Sequence, residues 1–183
     1  MALTKLNNNG IAGVTALPSS IALGDMVLVS SATASSSASL TFTLADYKEY
    51  QFYFVNIHPA TDDINFQFNL SIDSGSNYNV TKTTTWFQAY HAENDAGAAL
   101  AYNTSLDLAH ATGFQTISGN VGIVSDSNVG GYLHLFNPSS TTFVKHFIAS
   151  AVTNTSGTPS YAQNAYIAGY ANTTSAVDRI QFK

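Results

Sequence analysis

No cysteine occurs among the 183 residues, which excludes disulfides, thiolate metal sites and cysteine nucleophiles together. The lack does not identify a compartment; it fits a protein that must survive both a reducing cytosol and an oxidising exterior. Charge is scarce as well. Asp, Glu, Lys and Arg make up 9% of the chain, far below the usual share of about a quarter. With six Lys and Arg, a formal net charge of -5 and no basic cluster, the chain is not expected to read a nucleic-acid backbone. Its opening, "MALTKLNNNGIAGVTALPSS", holds one lysine and no apolar run of the roughly seven residues that a secretory core needs, and far fewer than a membrane span. Membrane insertion is not expected, and a protein acting outside a cell would leave by lysis or within a larger assembly.

What is present is enough for one core. Hydrophobic residues make up 45%, with 10 Tyr and 11 Phe, so disorder is a poor account of the low charge. Ser, Thr, Asn and Gln take the place of charge, and the surface is solubilised by hydrogen bonding. The stretch "INFQFNLSID" (64–73) shows the design. Ile64, Phe66, Phe68, Leu70 and Ile72 alternate with Asn65, Gln67, Asn69 and Ser71, the pattern of a strand that buries one face.

Similar patterns predict strands at "MVLVSS" (26–31), "ASLTFTL", "YQFYFVNI" (50–57), "TKTTTWFQAYH" (81–91), "FQTI", "NVGIV", "GYLHLFN", "FVKHFIASAV", "NAYIAGYA" and "VDRIQFK". "YQFYFVNI" is apolar on both faces, as in the middle of a sheet. "FVKHFIAS" and "NAYIAG" are expected to cover the Phe66–Phe68 face. The segment from Ala92 to His110 is the least strand-like, with a short helix expected near its end, capped by Thr104 or Ser105. About ten strands without crossover helices predict an all-β fold: an antiparallel two-sheet sandwich, jelly-roll-like, over residues 26–183. Residues 1–25 read as an extended N-terminal attachment arm. Gly and Pro break any helix there, while Leu3, Leu6, Ile11, Val14, Leu17 and Ile21 offer side chains for assembly contacts.

Candidate chemistry is thin. His58, His91, His110, His134 and His146 show no HxH or HExxH spacing, so no metal site is expected. Asp62, Asp63, Asp73 and the "END" of 93–95 could supply calcium oxygens, but turn chemistry accounts for Asp73, Ser74 and Gly75. No G-x-S-x-G occurs, and the carboxylates Glu49, Asp63, Glu93 and Asp107 form no evident pair, so neither a catalytic site nor a cofactor is expected. Aromatic side chains are the remaining candidates. Trp86, Tyr90 and Tyr102 are the ligand-facing choices, with Tyr132, Tyr161, Tyr166 and Tyr170 behind them; rings with polar tips suit sugar stacking or half-buried interfaces.

"MALTKLNNNGIAGVTALPSS", "LFNPSSTTFVKHFIAS" and "IAGYANTTSAVDRIQF" resemble segments of small structural proteins of marine tailed bacteriophages. The resemblance implies a non-enzymatic virion protein, a capsid decoration or a fibre-type appendage subunit, located on the particle. It also implies a further strand beyond Lys183. The residues agree independently, because a charge-poor surface suits crowded identical subunits. Expected partners are further copies of the chain, with a trimer as first expectation, other virion proteins, and a host-surface glycan or receptor. The rival expectation is a carbohydrate- or receptor-binding tip acting through its exposed aromatics.

Overall fold

The structure, a computed structural model, describes residues 26–183. The proposed arm contacts Leu3, Leu6, Ile11, Val14, Leu17 and Ile21 lie outside the described residues. The chain divides into a leading unit, Met1–Ser31, and a second unit, Ala32–Lys183. Of the leading unit, Met26–Ser31 carries no regular secondary structure, so the strand expected there is not formed. Its β-branched residues have the propensity, but a strand also needs a ladder partner.

The second unit contains ten strands and, among the described residues, no helix. They are β1 (Leu40–Thr43), β2 (Glu49–Ile57), β3 (Ile64–Ser71), β4 (Lys82–Ala92), β5 (Ala98–Tyr102), β6 (Gln115–Val121), β7 (Val129–Phe136), β8 (Lys145–Asn154), β9 (Tyr161–Ala171) and β10 (Arg179–Phe182). Two antiparallel sheets result, a four-stranded one in the order β1-β10-β3-β6 and a six-stranded one in the order β2-β7-β8-β9-β4-β5. The fold is all-β and sandwich-like, as the alternation predicts.

The apolar stripe of β3 is covered by the second sheet. Phe66 meets Phe54 of β2 edge-on with ring centroids 4.9 Å apart, and Phe68 meets Phe147 of β8 at 5.1 Å. "FVKHFIAS" therefore supplies part of the cover, and Ile167 of "NAYIAG" joins the same core. Phe182 of β10 lies among Phe42, Phe52, Phe54, Phe66 and Phe68. Full burial of such a side chain stabilises by about 1.5–3 kcal/mol.

The polar stripe of β3 is only partly wet. Gln67 donates to Thr116 Oγ1 at 3.2 Å, and on β10 Gln181 donates to Thr41 Oγ1 at the same distance. Amides and hydroxyls thus satisfy one another across strands, which a row of like charges could not do. Asn69 and Ser71 are fully buried. The Asn69 amide donates to the carbonyls of Tyr78 at 2.6 Å and Thr112 at 3.0 Å, tying two connecting segments to the sheet.

Three further differences from the sequence reading have local causes. β2 is an edge strand, and its outward Tyr53 and Val55 are exposed, so its apolar second face is not covered by the described residues. "FQTI" and "NVGIV" do not make two strands around Gly119; β6 runs from Gln115 through Gly119 to Val121. Residues 104–110 form a turn. Asn103 caps it by accepting from the Ser105 N–H at 2.9 Å. The Leu108 backbone is used by Thr84, whose hydroxyl accepts from its N–H at 2.8 Å and whose N–H donates to its carbonyl at 2.9 Å. Backbone groups bound to a neighbouring strand are lost to an i→i−4 ladder.

Candidate interaction face on the six-stranded sheet

Alternation along each strand sends every second side chain of the six-stranded sheet away from the core. The register then aligns these side chains across strands. Tyr53 of β2 stands opposite Tyr132 of β7, Tyr132 opposite Ser150 of β8, and Ser150 opposite Tyr166 of β9. Tyr166 stands opposite Phe87 of β4, and Phe87 opposite Tyr102 of β5. One row therefore crosses all six strands, with an aromatic ring on five of them. At the usual strand spacing it spans about 24 Å.

The rows on either side are also nearly free of charge. One runs Gln51, His134, Ile148, Ala168, Thr85; the other runs Gly130, Val152, Asn164, Ala89, Leu100. The six strands contain three charged side chains, Glu49, Lys82 and Lys145, and both lysines are buried in the core. Glu49 lies at the margin and is 3.4 Å from His134 Nδ1.

The ends of the row are the most open, with Tyr53 at 62% and Tyr102 at 52% exposure. Near its centre the Phe87 and Tyr166 rings stack at 5.1 Å and 15°. Polar groups brace the rings. The Tyr53 hydroxyl donates to Gln51 Oε1 at 2.6 Å; Ser150 donates to Asn164 Oδ1 at 3.0 Å, and Asn164 donates to the Tyr166 hydroxyl at 2.7 Å. The Tyr102 hydroxyl donates to Asp107 at 2.6 Å. That hydrogen bond to a carboxylate pushes the Tyr102 phenol above its ordinary value. The arrangement is a wide surface of held rings with carboxylates only at its margins, Glu49 and Asp107, suited to burial against another surface.

Of the three aromatics singled out from sequence, Tyr102 belongs to this face. Trp86 does not: it is fully buried on the opposite side of β4, so it cannot meet a ligand. Tyr90 shares the inward parity of Trp86 and packs edge-on against Tyr161 at 5.5 Å. The shift is one residue of strand phase, which exchanges Trp86 for Phe87. Tyr132 and Tyr166 of the second group lie on the row, and Tyr170 packs beside His146 two rows further along the same face. Tyr53, Phe87 and Leu100 were not singled out. Alternation places them outward, but only the cross-strand register shows that they line up.

Among the described residues, no three His, Asp or Glu side chains are grouped as metal ligands. Asp73 is held by its own turn, accepting from the Ser71 hydroxyl at 2.8 Å and from the Asn77 backbone N–H at 2.9 Å. These bonds, with the Asn77 side chain foremost, hold its carboxyl below the usual carboxylate range. Asp63 accepts from Asn120 at 2.5 Å and from Ser156 at 3.1 Å, and Asp62 from the Ile123 N–H at 3.0 Å. Compared with known proteins, the chain matches no family model, no curated protein and no solved structure.

Proposed function

We propose that this chain is a non-enzymatic structural subunit of a tailed-bacteriophage virion, a capsid decoration protein or an appendage (fibre or knob) subunit that works as a homo-oligomer. The observation that carries the reading is the charge-poor face of the six-stranded sheet, crossed from edge to edge by Tyr53, Tyr132, Tyr166, Phe87 and Tyr102. An apolar surface this wide costs solubility unless it is covered in the working state. Copies that each carry a net charge of -5 approach most easily through a surface whose few carboxylates lie at its margins.

The strand order supports a jelly-roll reading of the same domain. Laid out as a folded ribbon, the chain pairs β1 with β10, β2 with β7, β3 with β6 and β4 with β5. Rolling the ribbon adds the pairs β10–β3 and β9–β4. These are the pairings of a jelly roll in which one strand has widened into the β7–β8–β9 meander. The resemblance of "LFNPSSTTFVKHFIAS" and "IAGYANTTSAVDRIQF" to phage structural proteins points the same way.

The test is quantitative mass spectrometry of gradient-purified particles from a host that carries the gene. The chain is expected in a fixed ratio to the major shell or tail protein. Particles that lack it overturn the reading.

A receptor-binding tip is the second reading, favoured by the phenol and amide groups between the rings, which suit sugar hydroxyls. It predicts glycan binding that drops when Tyr102 or Tyr166 becomes Ala. A glycan array without a signal would sink it.

A further inference from the structure

Two elements of the described chain have strand chemistry and lack a partner among the described residues. The first is the outer edge of β5. The backbone bonds Ala92 N–H to Gly97 C=O and Asn103 N–H to Trp86 C=O set the parity of the β4–β5 ladder. By that parity Ala99 and Ala101 bond to β4. Ala98, Leu100 and Tyr102 turn their N–H and C=O groups outward from the sheet. Edge strands are normally guarded by a charge, a proline or a bulge. "AALAY" has none of these, and its register with β4 runs without a shift from Ala98 to Tyr102. Leu100, in its middle, is 75% exposed.

The second element is Met26–Ser31, "MVLVSS". It is apolar and β-branched, and it carries no charge. Met26 is 71% and Leu28 83% exposed, and the segment joins no ladder among the described residues. Extended, six residues span about 20 Å, enough to run the length of β5.

We propose that Met26–Ser31 of one copy adds to β5 of a second copy as a seventh strand of its six-stranded sheet. Main-chain hydrogen bonds from Ala98, Leu100 and Tyr102 supply the pairing. Alternate side chains of the added strand lie beside Leu100 and Tyr102 and extend the aromatic face. Neither segment carries charge, so the paired strands themselves do not repel. Donor and acceptor are different patches, so the contact is heterologous and closes into a ring or propagates. The inference rests on the assembly reading and gives that reading a specific contact.

The test uses the full chain, native mass spectrometry and sedimentation across a wide concentration range. Leu28→Pro spoils the donor. Leu100→Pro removes one outward N–H of the acceptor and leaves the bonds of Ala99 and Ala101 to β4, a position where an edge strand tolerates proline. The wild type is expected to form a ring or a longer open assembly, and each variant a monomer with unchanged β-type circular dichroism. Mixed together, the two variants are expected to form a one-to-one dimer, because each keeps the half that the other has lost.

Wild-type mass in both variants, loss in Leu100→Pro alone, or a mixture that stays monomeric overturns the proposed contact while leaving self-assembly intact. A wild type that is monomeric throughout overturns the assembly reading with it. If Leu100→Pro fails to fold, Leu100→Lys takes its place, with the same expected mass.

Discussion

Lys82 and Lys145 flank Ala171 from opposite sides: in the six-stranded sheet both pair with that residue, Lys82 from β4 and Lys145 from β8. Both side chains turn inward and are fully buried, and among the described residues neither ammonium meets a carboxylate. Their partners are neutral oxygens. Lys82 donates to Asn69 Oδ1 and to the Val80 carbonyl at 2.8 Å; Lys145 donates to the carbonyls of Phe143 at 3.1 Å and Thr173 at 3.0 Å. Two of the six basic side chains thus serve as internal ties for the segments that enter and leave the sheets. Burial pushes both amines below their ordinary value, Lys82 to about 7.

Stability should therefore rise with pH through the Lys82 titration. Below about 7 both folded and unfolded chains hold the proton, and the buried cation counts in full. Between about 7 and the ordinary 10.5, the unfolded chain keeps a proton that the folded one has released. The gain across that window is about 3–5 kcal/mol on the scale of 1.36 kcal/mol per pH unit. Urea unfolding of the wild type and of Lys82→Met, from pH 6 upward, isolates it. The difference between the two should be flat at low pH and then swing in favour of the wild type. A difference independent of pH would show that Lys82 stays charged in the fold.

Trp86 is the only tryptophan, and it is fully buried. Its emission should be blue-shifted in the folded protein, insensitive to iodide, and red-shifted on unfolding. Trp86→Ala should cost about 3–5 kcal/mol, as large core truncations do. Binding of any ligand per folded molecule should not change. Strong iodide quenching of the native protein would place the ring at the surface instead.

The contrast between Trp86 and its neighbour shows what was legible in the sequence and what was not. Alternation in "INFQFNLSID" and "FVKHFIASAV" was sufficient to predict two antiparallel layers, since period two is a local property of each strand. It could not fix which strands lie at an edge. "YQFYFVNI" has the apolar character of a central strand, yet β2 is an edge, and its outer Tyr53 and Val55 belong to the exposed face. β5 was hidden because "AALAY" has weak strand propensity and is held by its ladder with β4. The aromatic row is a product of register across six strands far apart in sequence, and no single segment contains it. The buried roles of Lys82 and Asn69 were hidden for the same reason, because their partners come from other segments.

Phe182 should be among the most sensitive core positions. Its ring lies 5.2 Å from Phe54, 5.4 Å from Phe52 and 5.9 Å from Phe66, and β10 pairs with both β1 and β3. Phe182→Ala should lose about 3–5 kcal/mol, and Phe182→Leu clearly less. Chemical denaturation followed by the Trp86 signal measures both. Equal, small losses would mean that the surrounding rings close over the gap.

Asn69 should matter through the segments it ties down more than through its own bulk. One amide serves four groups: it donates to the Tyr78 and Thr112 carbonyls and accepts from the Leu70 N–H and from Lys82. Asn69→Leu keeps the volume but leaves those groups buried without their partner. Each orphaned group costs about 1–3 kcal/mol, though relaxation and water recover part of the sum, so a net loss of about 3 kcal/mol is expected. The loss should also be local. Hydrogen exchange should quicken in residues 72–81 and 103–114, which the amide holds to β3, well before it changes in β7 and β8. Because Lys82 loses its side-chain acceptor in this variant, the pH-dependent gain should change as well, unlike in a variant that only leaves a cavity. Uniform exchange across the domain, or a wild-type pH profile, would mean that the two segments are held by something other than this side chain.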